Sequence, residues 1–247
     1  MATLYVRQMK SLNANPIDLA WTFLLAVGIF WAAYFNFSQA SFLSSLVVLI
    51  WALRLLTHLW KRQKVFFSFS ESGEDPRYSN LRKNLSAVDF WRVYTFQSIL
   101  LIVMLIPIFY LFKSIQNPSF KLGLYAFVWG VLALSFEALA DWQLSQFKKN
   151  KKNRGKICQV GLWSRSRHPN YFFEWLFWCW PLFLAKSWQD LFLALVPALI
   201  MFVTLNFLTG VKITEAHMAS KYGEAFEDYL KNSWSFFPKL IRIKKHD

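Results

Sequence analysis

Long apolar runs separated by short polar stretches dominate the pattern of the chain. Six runs stand out, and all but the fifth are about as long as a membrane-crossing helix, which needs roughly 20 residues. They cover residues 17–35, 42–60, 94–112, 122–140, 171–185 and 191–211. The runs lack the period-two alternation of a membrane β-barrel, and backbone groups in lipid must be satisfied within the protein. The pattern therefore predicts transmembrane helices.

The fifth run is the exception, because it is short and carries Glu174 and Pro181. It needs its flanking residues, or a partly re-entrant path, to serve as a membrane segment. The first run follows Arg7 and Lys10 but has no small-residue cleavage site, so it is interpreted as a helix rather than a signal peptide. We expect an all-α, polytopic transmembrane helical bundle of six helices, with seven possible. A basic cytoplasmic loop and a short C-terminal helix complete this single integral membrane domain, residues 1–247.

Composition explains why the apolar runs belong in a membrane. Hydrophobic residues make up 55% of the 247 residues, and charged residues make up 17%, against roughly 25% in a soluble domain. The formal net charge is nevertheless +14. These values exclude a disordered chain or a disulfide scaffold and argue against a soluble nucleic-acid-binding protein. We expect membrane lipids and a hydrophobic substrate as partners, and no nucleic acid.

The basic residues alternate between rich and poor loops. Loop 61–93 holds seven, loop 142–170 holds eight and the tail from Lys212 holds seven, whereas the loop near 36–41 holds none. By the positive-inside rule, this alternation predicts that both termini are cytoplasmic, in a bacterial inner membrane or the endoplasmic reticulum. The two cysteines, Cys158 and Cys179, form no CxxC or Cys/His cluster, so neither a metal site nor a disulfide is expected.

The loop before the fifth run carries the densest candidate chemistry. No acidic residue occurs from Gln143 to Phe173. Attraction of lysines 148–152 to anionic lipid is one explanation of this charge. A second group crowds the predicted helix entry at Pro169 and comprises Arg165, Arg167, His168, Asn170 and Tyr171. A helix N-terminus beside arginines favours phosphate or carboxylate, which predicts an anion-binding site.

Ionisable residues inside the apolar runs are further candidates. Glu174 lies one turn after Tyr171, so it is either a proton donor or carbonyl polariser within the membrane, or a glutamate that a later helix start keeps in water. Glu137 and Asp141 share one helical face and fit either a nucleotide or salt bridges. Arg54, followed by His58 at i+4, requires a partner such as an acid or a ligand phosphate.

Several of these stretches resemble one family. Residues 161–174 (GLWSRSRHPNYFFE) resemble the signature of the steroid 5-alpha-reductase C-terminal superfamily, and more closely its reductase-like branch described as a domain of unknown function. Further agreements are residues 51–59 (WALRLLTHL), 74–78 (EDPRY), 137–143 (EALADWQ) and 222–229 (YGEAFEDY) with Phe237 and Pro238. The wider superfamily also contains isoprenylcysteine carboxyl methyltransferases and sterol reductases.

The resemblance implies a membrane-embedded enzyme that uses NADPH to reduce the carbon–carbon double bond of an enone, as in 3-oxo-Δ4 steroids. It implies a signature cofactor and catalytic region at residues 137–238. Glu174 matches the glutamate that contacts the substrate carbonyl. The implied cofactor-binding residues are Asp141, Lys148, Lys156, Arg165, Arg167, His168, Asn170, Tyr171, His217 and Tyr222.

Two positions depart from the family pattern. Many relatives have glycine where Phe173 stands, and a ring there could narrow the cofactor channel. The catalytic tyrosine of the steroid reductases has no clear counterpart, although Tyr94 and Tyr110 lie in roughly the right helix.

Two rival interpretations follow. One is a methyltransferase that uses S-adenosylmethionine on a lipid-linked carboxylate. It shares the Arg167–Tyr171 element but usually has paired acids where Glu215 here stands beside Ala216. The other is a membrane scaffold or lipid-binding protein without catalysis.

Overall fold

The computed structural model describes residues 2–3, 5–6, 14–62, 78, 86, 88–115 and 120–239, and no residue of these ranges lies in a β-strand. The all-helical fold expected from the apolar runs is therefore confirmed. The helices are α1 (Pro16–Phe35), α2 (Gln39–Arg62), α3 (Trp91–Ser114), α4 (Phe120–Lys149), α5 (Pro169–Phe177), α6 (Trp188–Val203), α7 (Val211–Tyr222) and α8 (Glu224–Asn232).

The chain divides into two compact units. The first comprises Met1–Phe127 and Pro181–Pro197, and the second comprises Val128–Trp180 and Ala198–Asp247. All the contacts around Glu174 that are described below lie within the second unit. Whether the whole chain behaves as a single domain stays a prediction.

In the first unit, α1 packs against α2 and α3. Glycine permits the closest approaches between its helices, because a side chain at either of two positions would overlap a neighbour. A Cβ at Gly28 would lie 2.6 Å from Cδ1 of Leu105, and a Cβ at Gly123 would lie 2.5 Å from Cα of Ala40. The second contact is with backbone, which cannot rotate out of the way.

A capping box starts α6. Ser187 Oγ accepts the N–H of Asp190 at 3.1 Å, and Asp190 Oδ2 accepts the N–H of Ser187 at 3.1 Å. Ser114, the last residue of α3, donates its hydroxyl to Asp190 Oδ1 at 2.6 Å. The carboxylate therefore satisfies the free N–H groups of one helix start and joins it to the end of another helix.

Five helices of the described residues are long and apolar enough to cross a membrane. They are Pro16–Phe35, Gln39–Trp60, Trp91–Ser114, Phe120–Lys149 and Trp188–Tyr222. Large apolar side chains such as Phe23, Trp31 and Ile99 are exposed along them, as expected for surfaces in contact with lipid. The chain is accordingly an integral membrane protein, while the orientation of its termini stays a prediction.

The fifth apolar run, residues 171–185, does not form one continuous helix, and whether it follows a re-entrant path in the membrane stays a prediction. Helix α5 ends at Phe177, and a separate 3₁₀ turn follows at Trp180–Leu184. Pro181 contributes to the break, because a proline has no N–H to continue the hydrogen-bond ladder.

The sixth run is also interrupted. Helix α6 passes into a π-helical turn at Thr204–Leu208, and α7 begins after Gly210. The N–H of Thr209 donates to Thr204 O at 2.9 Å, which is the wide i→i+5 bond of a π turn. A Cβ at Gly210 would lie 2.2 Å from Leu205 O, so only glycine fits this bend.

The contact between Gly123 and Ala40 yields a stability prediction. Gly123→Ala should lower the free energy of unfolding by about 1–3 kcal/mol, because the added methyl overlaps the backbone of α2. Unfolding in mixed detergent micelles, followed by circular dichroism, measures the change. Leu132→Ala on the exposed face of the same helix should cost less, and an equal cost at both sites would contradict the close-packing argument.

Candidate functional site

A 3₁₀ turn, Gly161–Ser164, docks the basic loop on the C-terminal end of α4. Gly161 has φ +58°, and a Cβ there would lie 2.4 Å from Nε2 of Gln143. The N–H of Leu162 donates to Gln143 Oε1 at 2.9 Å, and the indole of Trp163 donates to a carbonyl of α4 at 2.8 Å. These contacts fix where the signature stretch enters α5.

A buried ion pair organises the signature stretch itself. Arg167 Nε donates to Glu215 Oε1 at 2.8 Å, and Nη1 donates to the carbonyl of Ser233 at 2.6 Å. His168 Nε2 lies 3.1 Å from the same Glu215 oxygen, and Ser235 Oγ donates to it at 3.2 Å. Arg167 and His168 are 9% and 2% exposed, so this network is largely removed from water. Glu215 therefore joins α7 to the start of α5.

Residues 233–239, here named the C-terminal strap, lie against the same stretch. The N–H groups of Arg167 and His168 donate to strap carbonyls at 2.9 and 3.2 Å, and the last strap N–H donates to the carbonyl of Arg165 at 2.9 Å. Ser166 is fully buried, and its hydroxyl lies 3.0 and 2.9 Å from two strap carbonyls. The loop and the strap thus satisfy each other's backbone groups.

Helix α8 contacts the 3₁₀ turn of the basic loop. Tyr229, which is buried, donates its hydroxyl to the carbonyl of Trp163 at 3.1 Å. Burial raises the pKa of Tyr229 above its usual value, because the phenolate would lose its hydration. The hydroxyl therefore remains a donor at physiological pH.

The first turn of α5 is held by a ring stack and a hydroxyl contact. The rings of His168 and Tyr171 are parallel within 3°, with their centroids 5.3 Å apart. The hydroxyl of Tyr171 lies 3.1 Å from Oγ1 of Thr214 on α7. Thr214 and Glu215 are adjacent in sequence, so one turn of α7 positions both His168 and Tyr171.

Polar groups of α4 and α5 meet at Asp141 and Asn170. Asn170 Nδ2 donates to Asp141 Oδ1 at 3.2 Å. The other amide atom of Asn170, Oδ1, is buried and has no hydrogen-bond partner in the described part of the chain. Glu137, also buried, lies one turn from Asp141 on the same helical face. An unsatisfied buried acceptor is costly, so Asn170 Oδ1 is a candidate ligand contact.

Glu174 lies one turn beyond Asn170 on the same face of α5 and is 8% exposed. Its Oε1 accepts a hydrogen bond from the indole Nε1 of Trp178 at 3.0 Å. The helix already begins at Pro169 and the side chain is buried, so a later helix start does not keep Glu174 in water. Its chemical role within the membrane stays a prediction.

Helices α4 and α5 run antiparallel beside each other, as two more contacts show. The rings of Phe136 and Phe173 stack with centroids 5.1 Å apart and planes 17° apart. Trp129 Nε1 donates to the carbonyl of Leu176, at the end of α5, at 2.8 Å. Phe173 therefore fills space against α4.

The predicted cofactor residues separate into two sets. Five of them lie at or beside the start of α5 and make the contacts described above: Asp141, Arg167, His168, Asn170 and Tyr171. Lys156, Arg165 and His217 are exposed, and Tyr222 lies under the ammonium of Lys221, 5.1 Å from its ring centroid. Among the described hydrogen bonds, none joins His217 or Tyr222 to α5. Their roles, and that of the exposed Lys148, stay predictions.

The lysine cluster after α4 forms an ordered turn. Asn150 Oδ1 accepts the N–H of Lys152 at 3.0 Å and begins the 3₁₀ turn Lys151–Asn153. Asn153 Nδ2 donates to the carbonyl of Phe147 at 3.0 Å. Lys149, Lys151, Lys152 and Arg154 are exposed on this turn. Either proposed partner, a phosphate group or anionic lipid, is compatible with that exposure.

Sequence reasoning missed two parts of the site. Glu215 was noted only as an acid without a neighbouring acid, because its partner Arg167 is 48 positions away. Trp178 was hidden within an apolar run. The i, i+4 spacing from Glu174 to Trp178 was the one available signal for that contact.

Together these features define an all-helical integral membrane protein with a largely buried polar site at the start of a short internal helix. The chain belongs to the family described as protein of unknown function, DUF1295, whose model matches residues 4–233. No curated protein and no solved structure gives a significant match.

The ion pair at Glu215 predicts a large change in stability. Glu215→Gln should lower the free energy of unfolding by about 3 kcal/mol, because it leaves the charge of Arg167 buried without its counter-ion. Unfolding in mixed micelles measures this change. The matched control is Asp228→Asn, because the ion pair of Asp228 with Lys231 is exposed. This substitution should lower the free energy of unfolding by no more than about 0.5 kcal/mol. Equal effects of the two substitutions would refute the role of Glu215.

Proposed function

We propose that this protein is a membrane-embedded, NADPH-dependent reductase of the carbon–carbon double bond of an enone in a steroid-like or isoprenoid lipid. The proposal starts from the membership of the chain in DUF1295. It adds the resemblance of the motifs to the steroid 5-alpha-reductase superfamily. One observation supports it most directly. Asn170 and Glu174 lie one turn apart on the same face of α5, where the Oδ1 atom of Asn170 is buried without a hydrogen-bond partner and the side chain of Glu174 is buried.

The residues at this site suit a nucleotide cofactor. Asn170 Oδ1 can accept a hydrogen bond from an amide or hydroxyl group, and Asp141 can accept from a ribose hydroxyl. No side chain caps the start of α5, so its first N–H groups favour an anion. Arg165 and Lys156 are exposed cations on the preceding loop. Arg167 is a weaker phosphate ligand than its sequence position suggests, because Glu215 and Ser233 already engage it.

NADPH, when bound, would supply the hydride that the β-carbon of the enone receives. As that bond forms, the π electrons of the double bond move toward the carbonyl oxygen. Glu174 would donate a hydrogen bond to this oxygen from its protonated form and stabilise the developing enolate. The reduction would be completed when the α-carbon takes a proton from solvent and the carbonyl bond forms again. The burial of Glu174 and of its indole partner Trp178 would exclude water from the step.

The substrate would reach this site from the bilayer. Phe172 and Trp175 of α5 form an aromatic cluster with Phe202 of α6, with neighbouring ring centroids 5.8 and 5.9 Å apart. Flat apolar molecules pack well against such rings. In a lipid with a single ketone, the apolar body would pack against these rings, and the ketone would meet the carboxyl group of Glu174.

The role of Glu174 is tested by Glu174→Gln. Removal of the acid should reduce turnover of an enone by about a hundredfold or more, with NADPH affinity nearly unchanged. NADPH oxidation and tryptophan quenching measure the two quantities in detergent or nanodiscs. Exposed Glu224→Gln is the control. Full activity in Glu174→Gln would rule out the proposed role.

The phosphate-binding role of the loop is tested separately. Replacing Lys156 and Arg165 by Gln should weaken NADPH binding about tenfold, because each cation can form a charge-assisted bond to phosphate. Binding of NADH should change less if these residues contact the 2′-phosphate. Lys231→Gln, on α8, controls for the loss of positive charge, and an equal loss there would contradict the assignment.

An S-adenosylmethionine-dependent methyltransferase is the second candidate. The contact of Arg167 and His168 with Glu215 favours it, because it unites the shared Arg–His–Pro element with an acid of the last helices. Titration of the purified protein with NADPH and with S-adenosylmethionine separates the two enzymes. Binding of neither cofactor would favour a non-catalytic membrane scaffold.

A further inference from the structure

Trp178 makes a contact that the helix end does not require. Helix α5 ends at Phe177, and the backbone N–H of Trp178 already reaches the carbonyls of Glu174 and Leu176. The indole of Trp178, which is fully buried, turns back along the helix and donates to Glu174 Oε1 at 3.0 Å. The side chain is therefore directed at a carboxyl group rather than at an orphan carbonyl.

Trp129 provides the contrast. Its indole Nε1 donates to the backbone carbonyl of Leu176 at 2.8 Å, only two residues along the chain from Glu174. That carbonyl also accepts the N–H of Cys179 at 3.2 Å, so the indole adds a second hydrogen bond to a backbone group at the helix end. The two indoles therefore bond different groups at this helix end. Trp129 donates to a backbone carbonyl, and Trp178 donates to the side chain of Glu174.

The chemistry of indole limits what Glu174 can do. An indole nitrogen only donates, so Oε1 acts as the acceptor whether the carboxyl group is ionised or protonated. The bond therefore holds one oxygen of the carboxyl group in a fixed direction.

We propose that Trp178 is a positioning residue that fixes the orientation of the Glu174 carboxyl group. The inference rests on the proposed function only for the identity of the group that this carboxyl meets, the carbonyl of the substrate. The fixed orientation itself follows from the contact between Trp178 and Glu174. A donor held in one geometry loses less entropy at the moment of reaction than one that rotates freely.

The test compares indole signals of ¹⁵N-tryptophan-labelled protein in two-dimensional proton–nitrogen spectra. The chain has 13 tryptophans, and Trp178→Phe and Trp129→Phe assign the two relevant signals by their loss. Glu174→Met removes the acceptor, so the Trp178 indole proton should move upfield. Glu174→Gln keeps an acceptor oxygen, and there the signal should move less.

The Trp129 signal is the internal control, because its acceptor is a backbone carbonyl. It should stay in place in both Glu174 variants. An unmoved Trp178 signal in Glu174→Met, or an equal movement of the Trp129 signal, would overturn the proposed contact. These results do not depend on any enzymatic activity.

The consequence for catalysis is measured with the enone reductase assay. Trp178→Phe should lower kcat about tenfold, the loss expected for one hydrogen bond of roughly 1.4 kcal/mol, with NADPH affinity and substrate KM little changed. Full kcat in this variant would overturn the positioning role. If no enone is reduced by the unaltered protein, the reductase proposal fails, and the indole spectra still decide the orientation of Glu174.

Discussion

The carboxylate of Glu215 is the interaction on which the second unit depends. One of its oxygens forms hydrogen bonds with three side chains, Arg167, His168 and Ser235. They belong to the basic loop, the start of α5 and the C-terminal strap. Without this anion, an arginine that is 9% exposed would be buried among carbonyl groups. Because the strap and α7 meet the loop here, the orientation of α5, and of the polar face it carries, follows from this charge.

Helix α5 illustrates a constraint imposed by lipid. A nine-residue helix in an apolar run exposes carbonyl groups at its end, and in hydrocarbon no water is available to bond them. The indole of Trp129 on α4 supplies a donor from a neighbouring helix. The broken segment is therefore possible only where protein, rather than lipid, surrounds it. A short buried helix of this kind can bring a carboxyl group to a fixed depth.

The sequence indicated the helical fold because apolar runs of sufficient length have few other solutions in a membrane. It also singled out Asn170, Tyr171 and Glu174, since polar residues at a helix entry contrast with their apolar surroundings. Local patterns carry no information on partners far away in the chain, so the pairing of Arg167 with Glu215 was missed. The shortness of the fifth run and Pro181 did indicate an irregular segment, whereas the contact from Trp129 could not be predicted because it comes from another helix.

The C-terminal strap has a consequence for how the protein is made. Synthesis proceeds from the N-terminus, so α4, the basic loop and α5 are complete before the ribosome reaches residues 233–239. During that interval Ser166, Arg167 and His168 lack the carbonyl groups that they bond in the folded protein. The polar site therefore assembles late in synthesis, after the membrane helices that precede it have been made.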